Sequence, residues 1–201
     1  GWFARDAQTF VRVGDVLLGN DVAALPAQPR LLWPEDVWAI LDASARQVLE
    51  SGAAKRVQSL LGPAGPAAVV LESWDAMYWN FRYLQSREAW QTDGPLIERY
   101  APPLGPGVAE RFAWSRGVTD EQVTAARAFR VAFRAHMATL LGDEDYRNRA
   151  IRMLCIAGLA GFPQVSMPLA MHQGAPLGLS LLGPAGSDRS LLALAVRISA
   201  T

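Results

Sequence analysis

The chain of 201 residues is 51% hydrophobic and 19% charged, which is typical of one globular domain with a substantial core. Its formal net charge of zero argues against nucleic acid and against an anionic membrane surface as partners. No run approaches the roughly 18 apolar residues of a membrane-spanning helix, and the N-terminus lacks a signal-peptide pattern. The single cysteine, Cys155, excludes an internal disulfide and favours a cytoplasmic location.

The first third of the chain predicts an alternation of helices and short strands. Residues 3–18 form an amphipathic helix whose apolar face comprises Phe3, Ala7, Phe10, Gly14, Leu17 and Leu18. A short strand is expected at residues 31–33. A helix follows from Glu35 to about residue 61, with a break at Gly52. A turn at residues 62–66 then leads into a strand at residues 67–71.

The middle third predicts mostly helix. Ser73 is the expected N-cap of a helix over residues 74–90, and the proline-rich residues 94–107 are expected to be irregular. A short helix is expected at residues 108–114. A longer helix is expected from Thr119 to Gly142, where the glycine ends it. Residues 143–159 are expected to be helical again.

Residues 154–194 organise the rest of the chain. The stretches 165–169 and 177–182 are nearly all apolar, which predicts strands covered on both faces inside a layered α/β structure. The residues between them are rich in turn formers. A last helix begins after a glycine loop, with Ser187 or Asp188 as its cap.

This C-terminal stretch resembles the amidase-signature family over about forty residues of fixed spacing. The matching positions are residues 160–168, 174–178, 182–184 and 186–188, and residues 1–20 resemble the helix that follows the family's signature region. Ser180 and the WFARD opening are most similar to the indole-acetamide-hydrolase-like branch.

The resemblance implies a mixed central sheet covered by helices on both faces, of which residues 1–201 are the C-terminal portion. Family members also carry a strand and a proline-rich loop before the AGLP-like motif. Here two predicted helices meet directly at residues 142–145, so the family's segment is either deleted there or missing from the chain.

The resemblance also implies amide hydrolysis by a Ser-cisSer-Lys triad through an acyl-enzyme, without metal or cofactor. The triad precedes the helix that opens this chain. Lys55 is the single lysine and lies outside any Gly-Ser-rich run, so it is interpreted as a helix-surface residue and no catalytic residue is assigned. The N-terminal catalytic half is the expected partner, and a homodimer is possible.

By the same resemblance, the acyl part of a small-molecule amide contacts residues just before the AGLP-like motif and on the mid-chain helix. These are Met153, Leu154, Cys155 and Ile156, with Trp74, Tyr78 and Phe81. Because all are apolar or aromatic, an aryl or alkyl amide is expected. Core packing is the structural alternative for each aromatic residue.

Two other interpretations stay open at this point. A chain without the nucleophile could be a non-catalytic binding or assembly module derived from an amidase. The forty-residue resemblance could also be accidental, which would make the chain an unrelated α/β module. If the chain is instead the C-terminal portion of an amidase, the isolated chain is expected to self-associate, because apolar surface would be exposed where the N-terminal strands belong.

Overall fold

The computed structural model describes residues 1–142 and 154–200. The chain is organised as two compact units. One unit consists of Gly1–Val70 and His136–Thr201, and the other of Leu71–Ala135. Strands and helices occur together in the first unit, which confirms the predicted α/β class, whereas the elements of the second unit are helices.

The strands of the first unit form two pairs. β1 (Leu31–Pro34) runs parallel to β2 (Ala64–Ala67), and β3 (Gln164–His172) runs antiparallel to β4 (Ala175–Leu182). Both strand orientations are therefore present, as in a mixed sheet. In the described part of the chain they form two separate two-stranded ladders.

The β3–β4 hairpin confirms the two strands and the turn predicted from the C-terminal sequence. Gln173 and Gly174 connect the strands with φ of 49° and 79°, the left-handed region that a two-residue hairpin turn needs. The prediction that these strands are covered on both faces is wrong for β3, where buried Val165 and Met167 alternate with exposed Ser166. One face of β3 packs on the core, and the other carries small or polar side chains.

Several helices belong to the first unit together with this hairpin. They are α1 (Ala7–Leu17), α2 (Glu35–Trp38), α3 (Ala43–Leu49), α4 (Lys55–Leu61), α8 (Leu154–Ala160) and α9 (Asp188–Ser199), with a π-helical turn at Glu50–Ala54 between α3 and α4. The core joins the inner face of the hairpin to buried residues of α3 and α9, including Leu49, Leu191 and Ile198. Burying each such side chain contributes roughly 1.5–3 kcal/mol relative to leaving it exposed.

The predicted apolar face of α1 is only partly correct. Gly14 is buried, and a Cβ on it would overlap the Leu192 side chain of α9. Phe3 lies before the helix and is fully exposed, and Leu17 is also exposed. Phe10 and Leu18 pack against the core as predicted, and α1 approaches α9 most closely at Gly14.

The N-terminus of α9 is capped by a residue distant in sequence. The sequence predicted Ser187 or Asp188 as the residue whose side chain caps α9. The Ser187 hydroxyl donates instead to the Pro184 carbonyl at 2.7 Å. The Asp21 carboxylate accepts from the backbone N–H groups of Arg189 at 2.6 Å and Ser190 at 2.7 Å. A loop residue that follows α1 therefore supplies the acceptor that the first turn of α9 requires.

Two predicted boundaries in residues 31–71 are wrong. Residues 64–66 were expected in a turn, but they belong to β2 because they pair in parallel with β1, with Leu31 opposite Ala64. The helical stretch after Glu35 breaks at residues 39–42, where Asp42 caps α3, rather than at Gly52. Gly52 lies within the π-helical turn, so the chain stays helical there.

The second unit consists of α5 (Trp74–Tyr100), α6 (Val108–Arg116) and the part of α7 (Asp120–Gly142) up to Ala135. Ser73 caps α5 as predicted, its hydroxyl accepting from Ala76 N at 3.0 Å. The irregularity expected at residues 94–107 is wrong as far as Tyr100, because α5 continues through Pro95, and it is confirmed at residues 101–107, which carry no helix or strand. The Trp90 indole lies over Gly94, where a Cβ would approach it to 2.8 Å.

The start of α7 confirms the predicted role of Thr119. The Thr119 hydroxyl accepts from Gln122 N at 3.3 Å, and the Gln122 side chain accepts from Thr119 N at 2.9 Å. This reciprocal pair is a capping box. The helix predicted over residues 143–159 is described from Leu154 onward as α8, and its earlier part lies outside the described residues, as does most of the proposed seam at 142–145.

Candidate functional site

The predicted substrate-binding residues of the first unit lie at the start of α8. Met153 lies outside the described residues. Leu154 and Cys155 begin the helix, and Ile156 is fully buried. After Ala160 the chain turns at Gly161, whose φ is +70°, and enters β3. The glycine permits the left-handed turn that ends the helix, so the short α8 leads directly into the hairpin.

The other predicted residues belong to the second unit, in the first turns of α5. Trp74 and Phe81 are half-buried, and Tyr78 is 49% exposed. Their spacing places all three on one side of the helix. Contact of both groups of residues with one substrate stays a prediction.

A small apolar cleft of about 30 Å³ opens in the first unit between β1 and β4. Its walls include Leu31, Trp33, Trp38, Leu179 and Leu181. The rings of Trp33 and Trp38 stack with their centroids 4.0 Å apart. No charged side chain lines this β1–β4 cleft, so its surface suits apolar contact.

Ser180 is the hydroxyl-bearing residue of the β1–β4 cleft. Its Oγ lies 2.7 Å from the Ser166 Oγ of the opposite strand, and one of the two hydroxyls donates to the other. These residues are register partners in the hairpin. In the described residues, neither hydroxyl is hydrogen-bonded to a base that could activate it as a nucleophile. The contact between the two serines therefore stabilises the pairing of β3 with β4.

A second polar cluster brings together residues that are distant in sequence. The Ser44 hydroxyl donates to Asp42 Oδ1 at 2.7 Å, and its Oγ lies 3.3 Å from His172 Nε2. The Ser44 hydroxyl and the Ala45 N–H, both donating to the Asp42 carboxylate, hold the pKa of Asp42 below its ordinary value. The carboxylate caps α3 and accepts from the serine itself.

This cluster does not have the order of groups that a serine nucleophile needs. In a catalytic triad the carboxylate orients the histidine, and the histidine takes the serine proton. Here the carboxylate contacts the serine, so the arrangement acts as a helix cap extended by His172. The sequence did not indicate it, because Ser44 and His172 are 128 positions apart.

Lys55, the single lysine, is exposed at the start of α4, which confirms its interpretation as a surface residue. Within residues 1–142 and 154–200, no group of three His, Cys, Asp or Glu side chains is placed to hold a metal ion. Over the same residues, no helix is both long and apolar enough to cross a membrane.

Comparison with known proteins identifies relatives along nearly the whole chain. No family model matches. Amidase 1 of Arabidopsis thaliana is 27% identical over all of this chain and 59% of its own length, and Amidase 1 of Oryza sativa subsp. japonica is 30% identical over 96% and 55%. The chloroplastic Outer envelope protein 64 of Arabidopsis thaliana is 28% identical over 96% and 41%. The chain therefore spans about half the length of the curated relatives it matches.

Solved structures give the same relationship at the level of fold. A crystal structure of an amidase superposes with a TM-score of 0.78 at 19% identity, covering 98% of this chain and 51% of the other. A bacterial aryl acylamidase of the amidase-signature family superposes with a TM-score of 0.63 at 11% identity, covering 98% and 46%. The shared fold extends over both units of the chain.

Proposed function

Because this chain is related to the amidase-signature family over nearly its whole length, we propose that it is the C-terminal part of an amide hydrolase. One observation carries the proposal: the two plant amidases match 96–100% of the chain. A fold likeness over 98% of the chain accompanies that match. A short shared motif would not extend over both units.

In the proposed reaction, a serine outside residues 1–201 attacks the amide carbonyl. A second serine and a neutral lysine accept the proton of the attacking hydroxyl and deliver it to the departing nitrogen. The acyl-enzyme is then hydrolysed by water, which releases the carboxylic acid and regenerates the serine. No metal or cofactor takes part. The exposed position of Lys55 supports a catalytic lysine elsewhere.

The contribution of this chain is one wall of the substrate pocket. Leu154, Trp74, Tyr78 and Phe81 belong to that wall in the proposal, together with Met153 and Cys155. Ile156 is left out, because it is fully buried and presents no surface that a substrate could contact. The apolar character of the wall supports a small aryl or alkyl amide as substrate. A carboxylate introduced by Leu154→Asp would be desolvated against the acyl group, so it should raise KM for aryl amides in the complete enzyme. An unchanged KM would remove Leu154 from the pocket.

The proposed partner of this chain is the N-terminal catalytic half of the same enzyme. The apolar β1–β4 cleft supports such a partner, since surfaces of this kind associate. The alignment with the Arabidopsis amidase runs over 252 residues although the chain has 201, so the relative carries additional residues inside the matched region. This difference supports the expectation that this chain lacks a segment that its relatives carry, and we propose that the segment belongs near residues 142–145. A cytoplasmic location and a homodimer belong to the same proposal.

Hydrolysis assays with the complete protein test the proposal. We expect release of ammonia from phenylacetamide and indole-3-acetamide, and little release from glutamine, whose side chain is polar. Substitution of the catalytic serine by alanine serves as the control for contaminating activity. If no amide in an aryl and alkyl series is hydrolysed above that control, the assignment as an amide hydrolase is wrong.

The comparisons do not favour the alternative of a non-catalytic module. The match with this chain covers 59% and 55% of the two amidases, but only 41% of Outer envelope protein 64. Outer envelope protein 64 is nevertheless similar to the same 96% of the chain. Failure of the hydrolysis assay would move that alternative to first place.

A further inference from the structure

The second unit contains a cleft that the proposed function does not use. It has a volume of about 330 Å³ and is lined chiefly by Trp79, Tyr83, Trp114, Gly117, Val118 and Gln122. We call it the aromatic cleft. Its volume lies within the range of small-molecule sites, which is roughly 300–1,000 Å³.

Three aromatic rings form one wall of the aromatic cleft. The centroids of Tyr83 and Trp114 lie 6.0 Å apart with their planes at 16°, and those of Trp79 and Tyr83 lie 6.1 Å apart at 28°. The centroids of Trp79 and Trp114 lie 6.3 Å apart with their planes tilted by 43°, so the three rings form one angled aromatic surface, which we call the platform. Trp79 is 44% exposed, so a large apolar surface faces solvent at this point.

The platform is held in place by contacts within the same unit. The Arg82 guanidinium lies 5.0 Å from the ring centroid of Trp114. Arg87 donates to the Val118 carbonyl at 2.6 Å and pairs with Asp120 at 2.8 Å, which fixes the turn between α6 and α7 against α5. The cleft is therefore built before a ligand arrives, which lowers the entropy cost of binding.

The chemistry of the lining restricts the ligand. None of the six residues named for the aromatic cleft has a charged side chain at neutral pH. An anion would lose water there while the Arg82 guanidinium already lies over the Trp114 ring, and a cation would gain contact with the rings without a carboxylate partner in the lining. A planar ring, by contrast, gains both apolar burial and offset stacking on the platform.

We propose that the aromatic cleft binds a neutral planar aromatic compound stacked on Trp79, Tyr83 and Trp114. Most of this site lies away from the predicted acyl-binding face of α5, and the two meet at Tyr78, whose ring centroid lies 5.1 Å from that of Trp79. At about 100° per residue, Trp79 and Tyr83 project from the side of α5 opposite to Trp74 and Phe81. The proposal does not depend on amide hydrolysis.

The probe is 5-fluoroindole, followed by ¹⁹F NMR line broadening with the complete protein. We expect saturable binding that weakens roughly tenfold on Trp79→Ala, which removes one ring of the platform. Gly117→Leu fills the cleft and leaves all three rings in place. Its backbone tolerates a side chain, because the added Cβ would lie 3.4 Å from the Trp114 carbonyl oxygen and φ is negative.

Gly105→Leu is the matched control, because a Cβ at this exposed glycine meets no atom within 4 Å. We expect it to bind 5-fluoroindole as the native protein does, whereas Gly117→Leu loses binding roughly tenfold. Circular dichroism of each variant shows whether it is folded. If Trp79→Ala unfolds the protein, the binding of 5-fluoroindole by Gly117→Leu is the result that tests the proposal.

Three results would overturn the proposal: no saturable binding to the native protein, native-like binding by Gly117→Leu, or equal binding of protonated 5-fluorotryptamine. The last result would remove the preference for a neutral ligand. Amide hydrolysis is measured separately on the same samples. If the protein binds the probe but does not hydrolyse amides, this inference stands and the proposed function is wrong. If the protein hydrolyses amides but does not bind the probe in the cleft, the proposed function stands and this inference is wrong.

Discussion

The cap that Asp21 provides for α9 gives the sharpest prediction about stability. Its two carboxylate oxygens accept from two successive backbone N–H groups, at 2.6 and 2.7 Å. The helix that they cap contributes Leu191, Leu194 and Ile198 to the core. Removing the carboxylate by Asp21→Ala leaves both N–H groups without this acceptor and weakens the first turn of a core helix.

The expected cost follows from the two lost hydrogen bonds. An N-cap side chain contributes typically about 1 kcal/mol, and up to about 2 where the contact is well formed. Because both bonds involve a charged acceptor, we expect the upper value, about 2 kcal/mol, for Asp21→Ala. Asp21→Asn keeps one acceptor oxygen without the charge, so about 1 kcal/mol is expected.

The same carboxylate makes stability depend on pH in a defined direction. Burial raises the pKa of Asp21, but the hydrogen bonds from Ser190 and Arg189 and the Arg189 charge outweigh burial and lower it below 3.8. A carboxyl with a lower pKa in the folded state stabilises the protein above its unfolded pKa and loses that contribution as pH falls through the folded value. The difference between native protein and Asp21→Asn should therefore shrink below about pH 4.

Urea unfolding at pH 7 and pH 3 measures both effects. With a urea dependence of about 2 kcal/mol per molar, Asp21→Ala should lower the unfolding midpoint by about 1 M at pH 7. Asp6→Ala is the comparator, because Asp6 caps the exposed start of α1 through one bond to Thr9 N at 2.7 Å, and its loss should be smaller. Equal midpoints for Asp21→Ala and the native protein at pH 7 would refute the cap.

Two further substitutions test packing in the first unit by the same unfolding assay. Gly14→Ala should lower the free energy of unfolding by about 1–2 kcal/mol, because the added Cβ overlaps Leu192. Gly52→Ala is the control and should be neutral or stabilising, because its Cβ meets no atom within 4 Å. Equal effects of the two substitutions would contradict the α1–α9 contact. Asp36→Ala should lower the free energy of unfolding by about 2–3 kcal/mol, because Asp36 Oδ2 accepts from the N–H groups of residues 69 and 70 at 2.7 Å each. A loss below about 0.5 kcal/mol would show that water replaces the carboxylate as acceptor.

Local sequence patterns predicted the elements whose causes are local. The apolar runs on either side of a Gly-containing turn predicted β3 and β4, and Ser73 predicted the start of α5. Elements that depend on distant partners were missed. β2 begins at Ala64 because β1 lies beside it, and Asp21 caps a helix 168 positions away.

The candidate sites differ in the same way. The resemblance indicated Trp74, Tyr78 and Phe81 because they align with a family pattern, and it gave no indication of the aromatic cleft. That cleft joins residues of α5 and α6 with the start of α7. Its rings meet only when α5, which carries Trp79 and Tyr83, packs against α6, which carries Trp114.

The position of the reactive serine tests the central claim most directly. Labelling the complete protein with a fluorophosphonate, followed by peptide mass spectrometry, identifies the serine that forms the covalent adduct. The account predicts one labelled serine outside residues 1–201 and no label on Ser44, Ser166 or Ser180. A label on any serine within these 201 residues would contradict the claim that this chain forms a pocket wall for a nucleophile located elsewhere.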